Sequence, residues 1–335
     1  MHKVFSSVAV SIIIIAFVCV SIGKPPVQSA PPYSVNGPLT EPRIFGEGVI
    51  STNDYERGGT FTPDGREFYF TKRAVPGYFW TICFSRFENG KWSTPEVASF
   101  SGQYLDADPF ISSDGSKLFF ASARPIDDKP KRDFDIWVVN RTSKGWSEPR
   151  NLGAPVNTAA SESYPTLTKN GTLYFCSGRP DGKGLLDIYR SRLVDGKYTE
   201  PENLGDTINT PSSEAYPFIA PDESYLIFTS YYREDEIYGN GHRYVRGDLY
   251  ISLMQDGKWT EPRHLDPPIN TGAFEGCPTI SPDGKYFFFT SERSSVTNLP
   301  KQQLGYQDYQ RILKSVTNGQ GNIYQVDIRV LAIKH

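Results

Sequence analysis

The sequence predicts an all-β protein built from five repeated units of four strands that close into a ring. Three observations carry this prediction: a turn motif recurs five times, an apolar strand follows each turn, and an N-terminal segment matches an element that the last unit lacks. The composition agrees, because 14% aromatic residues with 29 Gly and 26 Pro in 335 residues suit a turn-rich β protein.

The turn motif places Asp or Asn before Gly, with Glu223 as the one exception to the Gly. The copies are Pro63-Asp64-Gly65, Ser113-Asp114-Gly115, Lys169-Asn170-Gly171, Pro221-Asp222-Glu223 and Pro282-Asp283-Gly284. Asp or Asn caps a tight bend and Gly supplies positive φ, so each copy predicts a hairpin. Consecutive copies lie 50 to 61 residues apart, a period that indicates a repeat architecture with four-stranded units.

Two further strands follow each turn. The second strands are predicted at 67–70, 117–120, 172–175, 225–228 and 286–289, and the third at 81–83, 135–137, 187–189, 248–250 and 322–324. The second strands are apolar on both faces, as a strand sandwiched between neighbouring units requires. Four of the third strands run into a second hairpin and an outer strand that ends in Ser/Thr-x-Pro.

The fifth unit has no outer strand after its third strand. Residues 39–43 and 50–52 repeat the pattern of residues 259–263 and 269–271 in the fourth unit. The N-terminal segment 39–50 is therefore predicted to supply the outer strand of the last unit, which closes the ring and protects an open edge.

The Pro-Asp-Gly turn, the Phe-x-Ser-x-Arg strand end and the Asp-Ile-Trp/Tyr strand resemble the WD40-like β-propeller repeat of the TolB type (PD40). The resemblance covers residues 39–335 and implies a single five-bladed β-propeller with four-stranded blades. It says little about function, since such propellers serve as periplasmic scaffolds, as receptors and as domains of hydrolases.

The N-terminus is predicted to be a signal peptide, residues 1–23, followed by a Pro-rich linker, residues 24–38. The apolar run 8–22 is too short for a comfortable membrane span, and small residues favour cleavage after Gly23. We therefore expect export to the periplasm or the outside. A lipid anchor on Cys19 is disfavoured by the bulky Val18 before it, and an uncleaved N-terminal anchor is the other route to a membrane.

The other three cysteines, Cys83, Cys176 and Cys277, lie in different units on predicted strands. They are expected to be buried small apolar residues rather than a disulfide framework.

Every unit also begins with an acid and carries an Arg after its second strand. The acids are Glu56, Asp106, Glu162, Glu214 and Glu275, and the arginines are Arg73, Arg124, Arg179, Arg233 and Arg293. The third strands of the middle units begin with Asp135, Asp187 and Asp248. The main interpretation is architectural: an Arg fork bridges two carboxylates, for example Glu162 and Asp187. In the alternative, the five acids ring the channel mouth and favour a divalent cation or a cationic ligand.

The differences between units give the better functional indication. Thr81 and Asn322 replace the third-strand Asp, and long loops at 125–134, 231–247 and 294–321 emerge at the end that carries the acids. The candidate binding residues are Arg73, Tyr78, Trp80, Tyr232, Arg233, Tyr238, His242, Arg293, Tyr306 and Tyr309. Tyr-rich loops on a rigid scaffold suit glycans or peptides, although they could instead cover the channel. Helical spacing at 302–316 predicts a short helix there.

These features favour an exported binding or scaffold protein for a glycan, peptide or protein partner, without a cofactor. The alternative is a glycoside-processing enzyme, with its acid among Glu162, Glu214 and Glu275 and its base Glu56 or Asp106. A net charge of −3 without a basic cluster argues against nucleic-acid binding. Besides His242, the mature chain has only His264 and His335, so a catalytic triad or a zinc site is poorly supported.

Overall fold

The computed structural model describes residues 31–74, 79–126, 131, 133–231, 233, 247–296 and 300–333. Within this part of the chain, five antiparallel sheets follow one another, and each innermost strand contacts the innermost strands of two neighbours. The protein is a five-bladed β-propeller, which confirms the predicted fold class. The predicted signal peptide with Cys19, and linker residues 24–30, lie outside the described residues.

Each blade is ordered from the channel outwards. The innermost strands are Tyr55–Phe61, Asp106–Ile111, Glu162–Leu167, Ser213–Ile219 and Glu275–Ile280. The second strands are Glu67–Ala74, Lys117–Ser122, Leu173–Ser177, Tyr225–Tyr231 and Tyr286–Ser291. The third strands are Phe79–Glu88, Asp135–Thr142, Asp187–Ser191, Asp248–Gln255 and Asn322–Asp327. The outer strands are Glu96–Val97, Arg150–Asn151, Glu202–Asn203, Arg263–His264 and, for blade 5, Arg43–Ile44.

Short hairpin strands extend the outer edges of four blades. They are Lys91–Trp92, Gly145–Trp146, Leu193–Val194 paired with Lys197–Tyr198, and Lys258–Trp259. The helical elements are an α-helix, Tyr306–Lys314, within the predicted range 302–316, and a 3₁₀ turn, Ile328–Leu331. No helix in the described ranges is long and apolar enough to cross a membrane.

The core lies between the blades, where the second strands are covered on both faces. Phe68, Phe120, Phe175, Phe228 and Phe288 are completely buried, one from each blade. Cys83, Cys176 and Cys277 are buried and unpaired, as predicted. The aromatic content of the sequence is therefore used mainly to fill the seams between blades.

The N-terminal segment closes the ring as predicted. Arg43 and Ile44 pair with Gln325 and Tyr324 of the third strand of blade 5. The Phe45 amide then donates to the Ile323 carbonyl at 2.8 Å. Blade 5 is thus assembled from both ends of the described chain, so its outer edge is not left open.

The predicted linker contains a docked residue, Tyr33. Its ring is buried, packs edge-on against Phe61 at 5.0 Å, and sits beside the turn glycine Gly65. Burial and the carboxylate of Asp283 raise the pKa of Tyr33 to about 12. Residues 31–35 therefore have no strand but form part of the seam between blades 5 and 1.

Candidate functional site

The five acids at the blade starts are completely buried, with 0% exposure. In blade 3, one Glu162 oxygen accepts from the Thr158 hydroxyl at 2.7 Å and from Ser177 at 2.8 Å, and the other accepts from the Thr158 amide. The Arg179 Nε atom lies 3.6 Å from the same carboxylate. The acid therefore ties a loop, two strands and an Arg together inside the blade.

Blades 4 and 5 repeat this arrangement, and blades 2 and 1 keep the buried acid with changed partners. Glu214 and Glu275 keep the Thr, Ser and Arg partners of Glu162. Asp106 accepts from Ser101 and Ser122 and pairs with Arg124 at 2.8 Å. In blade 1, Lys72 replaces the Ser and pairs with Glu56 at 3.1 Å, while Arg73 stacks on Tyr55 at 3.7 Å. The architectural interpretation of the acid and Arg is supported by this repetition.

The predicted Arg bridge to the third-strand Asp is wrong. Glu162, Ser177 and Asp187 form one row across the sheet, so Ser177 stands between the two carboxylates. Adjacent strands lie about 4.8 Å apart, so two strand spacings separate Glu162 from Asp187. An Arg that binds Glu162 therefore cannot also bind Asp187. Asp187 instead accepts from the Asn203 side chain at 2.8 Å and from two loop amides.

The corresponding aspartates of blades 2 and 4 also bond outwards. Asp135 accepts from Asn151 at 2.9 Å, and Asp248 lies 2.9 Å from the His264 ring. The third-strand Asp therefore binds the outer strand, and in blades 2 and 3 it also binds the loop that precedes it, through Lys131 in blade 2 and through two amides in blade 3.

A different set of residues lines the channel, each two positions after the acid. They are Gly58, Asp108, Tyr164, Tyr216 and Cys277, all with φ between 50° and 58°. The register of every innermost strand shifts at this point, so each blade has a bulge there. Left-handed backbone at four residues other than Gly stores strain of about 1–3 kcal/mol each and turns these side chains toward the axis.

The channel is closed by an ion pair, Arg57 with Asp108, at 3.0 Å. Both side chains are less than a tenth exposed. The guanidinium lies 4.0 Å from the Trp80 ring centre and also contacts Tyr164 and Tyr216. An Arg between aromatic rings gains cation–π attraction that grows with desolvation.

Burial dominates the electrostatics of this pair. It raises the pKa of Asp108 to about 6 although Arg57 opposes the shift. Burial alone would lower the pKa of Arg57, but Asp108 and the neighbouring phenols outweigh it and hold that pKa well above its ordinary value. Both groups are therefore charged at neutral pH, and each depends on the other.

The space left beside this pair is small. The cavity has a volume of about 50 Å³ and is lined by Asp108, Tyr164, Tyr216 and Cys277 with their neighbours. Such a space holds a few water molecules and is much smaller than an ordinary ligand pocket of about 300 Å³ or more.

This channel set was not predicted from the sequence, although a signal was present. Pro follows the bulge residue in four blades, and Asp108 is a second acid in the strand that begins with Asp106. The acids at the strand starts recur in every blade, whereas the channel residues differ from blade to blade, so the repeat pattern indicates only the acids. The five acids are enclosed within their blades, contrary to the interpretation in which they ring the channel mouth. Among the described residues, no three side chains suited to a metal ion come together.

The end of the ring at which the innermost strands begin also carries the connections between second and third strands, and we term it the loop-rich face. Trp80 packs there, on Phe134 and Arg57. Arg233 and Arg293 are held by the acids and by loop carbonyls. Tyr306 and Tyr309, by contrast, project from the helix with 76% and 50% exposure. Tyr78, Tyr232, Tyr238 and His242 lie outside the described residues.

Glu275 gives this network a testable pH dependence. Burial raises its pKa from 4.5 to about 7, against the hydrogen bonds from Ser291 and Thr271 and the charge of Arg293. The folded protein then binds this proton more tightly than the unfolded chain. Its contribution to the free energy of unfolding is therefore fully present below about pH 4.5 and is lost as the pH rises to 7.

We expect Glu275→Gln to gain stability relative to the parent protein as the pH rises from 5 to 8, by about 3 kcal/mol at most. Denaturant unfolding of both proteins at several pH values measures the difference. Glu148→Gln removes the same charge from an exposed position and is the control. A difference that is equal at pH 5 and pH 8 would contradict the raised pKa.

Comparisons with known proteins agree with the fold. The α-L-arabinofuranosidase of Lactobacillus brevis is 14% identical, with a TM-score of 0.51 over 83% of this chain and 92% of that one. A GH43 endo-arabinanase of Bacillus licheniformis is 12% identical, with a TM-score of 0.50 over 83% and 96%. A protein assigned as TolB from Agrobacterium tumefaciens is 15% identical, with a TM-score of 0.47 over 87% and 99%.

These likenesses concern the fold alone, because all identities are far below 25%. No family profile and no curated relative matches the chain. The five-bladed propeller implied by the resemblance to TolB-type repeats is present, and the fold is shared by enzymes.

Proposed function

We propose that this protein is an exported β-propeller that binds a glycan, peptide or protein partner through its loop-rich face. The observation that carries the proposal is the helix Tyr306–Lys314, none of whose residues is buried. Export rests on the sequence of residues 1–23.

The helix presents an apolar surface that its own fold does not use. Tyr309 and Leu313 are one turn apart, with 50% and 44% exposure, and Tyr306 is more exposed still. The segment after the helix is joined to blade 1, because the Asn318 side chain donates to the Asn53 carbonyl at 2.9 Å. Exposed aromatic residues on a helix suit a recognition surface, since little conformational entropy is lost on binding.

The burial and pairing of the five acids at the blade starts support binding rather than hydrolysis. A glycosidase requires two carboxylates that face the substrate at a defined separation, one of them with a raised pKa. Here the acid of every blade is buried, accepts from at least one Ser or Thr hydroxyl and lies beside a cation. Pairing of every acid is what a scaffold requires.

The proposal is tested by a screen of residues 24–335 against glycan and peptide arrays. Binding to the hit should weaken about tenfold or more in the double variant Tyr309→Ala with Leu313→Ala, because two exposed anchors are removed. Alanine favours helix, so the helix itself should persist. Val97→Ala removes a comparably exposed apolar residue from an outer strand and is the control. Equal binding by the double variant would exclude this helix as the recognition surface.

The second candidate is a glycoside-processing enzyme, and Asp108 is the observation in its favour. This carboxylate lies in the channel with a pKa raised to about 6. Its pairing with Arg57 and the small cavity argue against a bound sugar. Hydrolysis of arabinan oligosaccharides that disappears in Asp108→Asn would favour the enzyme over the binding protein.

A further inference from the structure

A groove with a volume of about 320 Å³ lies at the outer edge of the ring, between blades 2 and 3. Its floor is apolar and includes Phe119, Val138 and Val156, which are buried at the seam between the blades. Leu193 and Tyr198 of the blade 3 hairpin line the other side. The groove is large enough to receive one or two apolar side chains of a ligand.

Three cations line the same groove: Lys117, Arg150 and Lys197. All three are exposed, and they come from three different elements. No ion pair joins any of them to another described residue. No Asp or Glu lines the groove among the described residues, so its potential is positive.

The equivalent seam between blades 1 and 2 has an acid that joins the two blades. Glu67 of blade 1 pairs with Arg86 at 3.1 Å and with Arg141 of blade 2 at 3.0 Å. The Tyr69 hydroxyl accepts from the Trp146 indole at 3.0 Å. An acid and a hydroxyl on the second strand therefore lock the next blade's hairpin in place.

Blade 2 lacks both of these locking groups. Lys117 is the first residue of its second strand and takes the position of Glu67. Phe119 takes the position of Tyr69. In blade 2, a cation thus replaces the carboxylate acceptor, and a phenyl ring without a hydroxyl replaces the phenol. The seam between blades 2 and 3 therefore has a positive charge where its counterpart has a negative one.

Arg150 is unpaired for a similar reason. In blade 3, Glu202 lies opposite Arg190 across the outer strand pair and binds it at 2.9 Å. In blade 2, Arg150 lies opposite Val138 instead. The cation of the outer strand thus has no carboxylate opposite it and no ion pair within the described part of the chain, so it is available to a ligand.

The blade 3 hairpin completes the groove. Leu193–Val194 pairs with Lys197–Tyr198, and the hairpin continues from the third strand, because the Thr199 amide donates to the Arg192 carbonyl at 2.9 Å. The hairpin supplies Tyr198 and Lys197 as the outer wall.

We propose that this groove is a second binding site, for an acidic peptide segment that carries an apolar side chain. The apolar floor would receive the side chain, and the three cations would meet carboxylates on both sides of it. Three separated cations suit several carboxylates along a chain better than the single charge of a fatty acid. The site is distinct from the loop-rich face and does not depend on the function proposed there.

The test is fluorescence anisotropy with a labelled five-residue peptide in which Glu alternates with Phe or Leu. We expect the peptide to bind, and its affinity to fall as salt is added, because exposed charges are screened. Peptides with Gly in place of the apolar residues, or Lys in place of Glu, should bind at least about tenfold more weakly.

Charge reversal locates the site. Lys117→Glu and Lys197→Glu should each weaken binding about tenfold. Lys258→Glu changes the net charge equally at the corresponding hairpin position of blade 4 and should leave binding unchanged. Binding that is lost equally in the Lys258 variant, or that persists in both groove variants, would overturn the proposal. Full competition by decanoate at equal affinity would overturn the peptide assignment in favour of a lipid anion.

Discussion

Deletion of residues 39–50 should lower the melting temperature by more than about 10 °C. The segment provides the outer strand of blade 5 and two core side chains, Phe45 and Ile50, with 4% and 0% exposure. Phe45 alone meets the rings of Phe68, Trp92 and Phe288 within 5.6 Å. Loss of two such side chains costs about 5 kcal/mol or more, which is about 10–20 °C in a protein of this size.

A point substitution keeps this test interpretable if the deleted protein does not fold. Phe45→Ala should cost about 3–5 kcal/mol, measured by denaturant unfolding. Arg43→Ala keeps the same backbone pairing with blade 5 but removes only an exposed side chain, so it should cost less than about 0.5 kcal/mol. Equal stability of Phe45→Ala and the parent protein would show that the ring is not closed by this segment.

Loss of Arg57 should be the most damaging single charge substitution in the channel. Arg57→Met leaves Asp108 buried without its partner, and breaking a buried pair costs about 3–5 kcal/mol. Arg86→Met removes an Arg that is 40% exposed and pairs with Glu67, and it should cost less than about 1 kcal/mol. Denaturant unfolding at pH 7 compares the two variants.

The pH dependence identifies the cause. Without Arg57, which lowers it, the pKa of Asp108 should rise further above about 6. The uncompensated carboxylate then takes up a proton in the folded state, so the cost of Arg57→Met should be smaller at pH 5 than at pH 8. The double variant Arg57→Met with Asp108→Asn should lose less than the sum of the single variants. A cost that is independent of pH and additive would show that Arg57 acts only through packing.

The blade pattern was predictable because it is local and repeated. A tight turn such as Ser113-Asp114-Gly115 is fixed by its own residues, and an apolar run on both faces requires burial on both faces. The closure was predictable as well, since residues 39–43 repeat a motif whose place in the blade was already known from the other units.

The site was less predictable, because the same repeat misled the choice of residues. An acid occupies the position of Glu162 in every blade, which suggested a ring of carboxylates at the channel mouth. In the structure, Thr158 and Ser177 enclose Glu162 within its blade. Asp187 lies in the same row but faces the outer strand. Which neighbour a carboxylate bonds depends on strand register, and one intervening Ser decides it here.

The number of blades, the strand order and the segment that closes the ring can be predicted from the sequence, because they follow from local turn chemistry and from a repeat that occurs five times. The fold is needed to show that Arg57 and Asp108, which are 51 residues apart, meet in the channel, and that Lys117 and Arg150 line one groove without an ion pair to any described residue. Charges in different blades are brought together by the packing of the blades. The sequence pattern gives the order of the repeats but not the distances between side chains that lie in different blades.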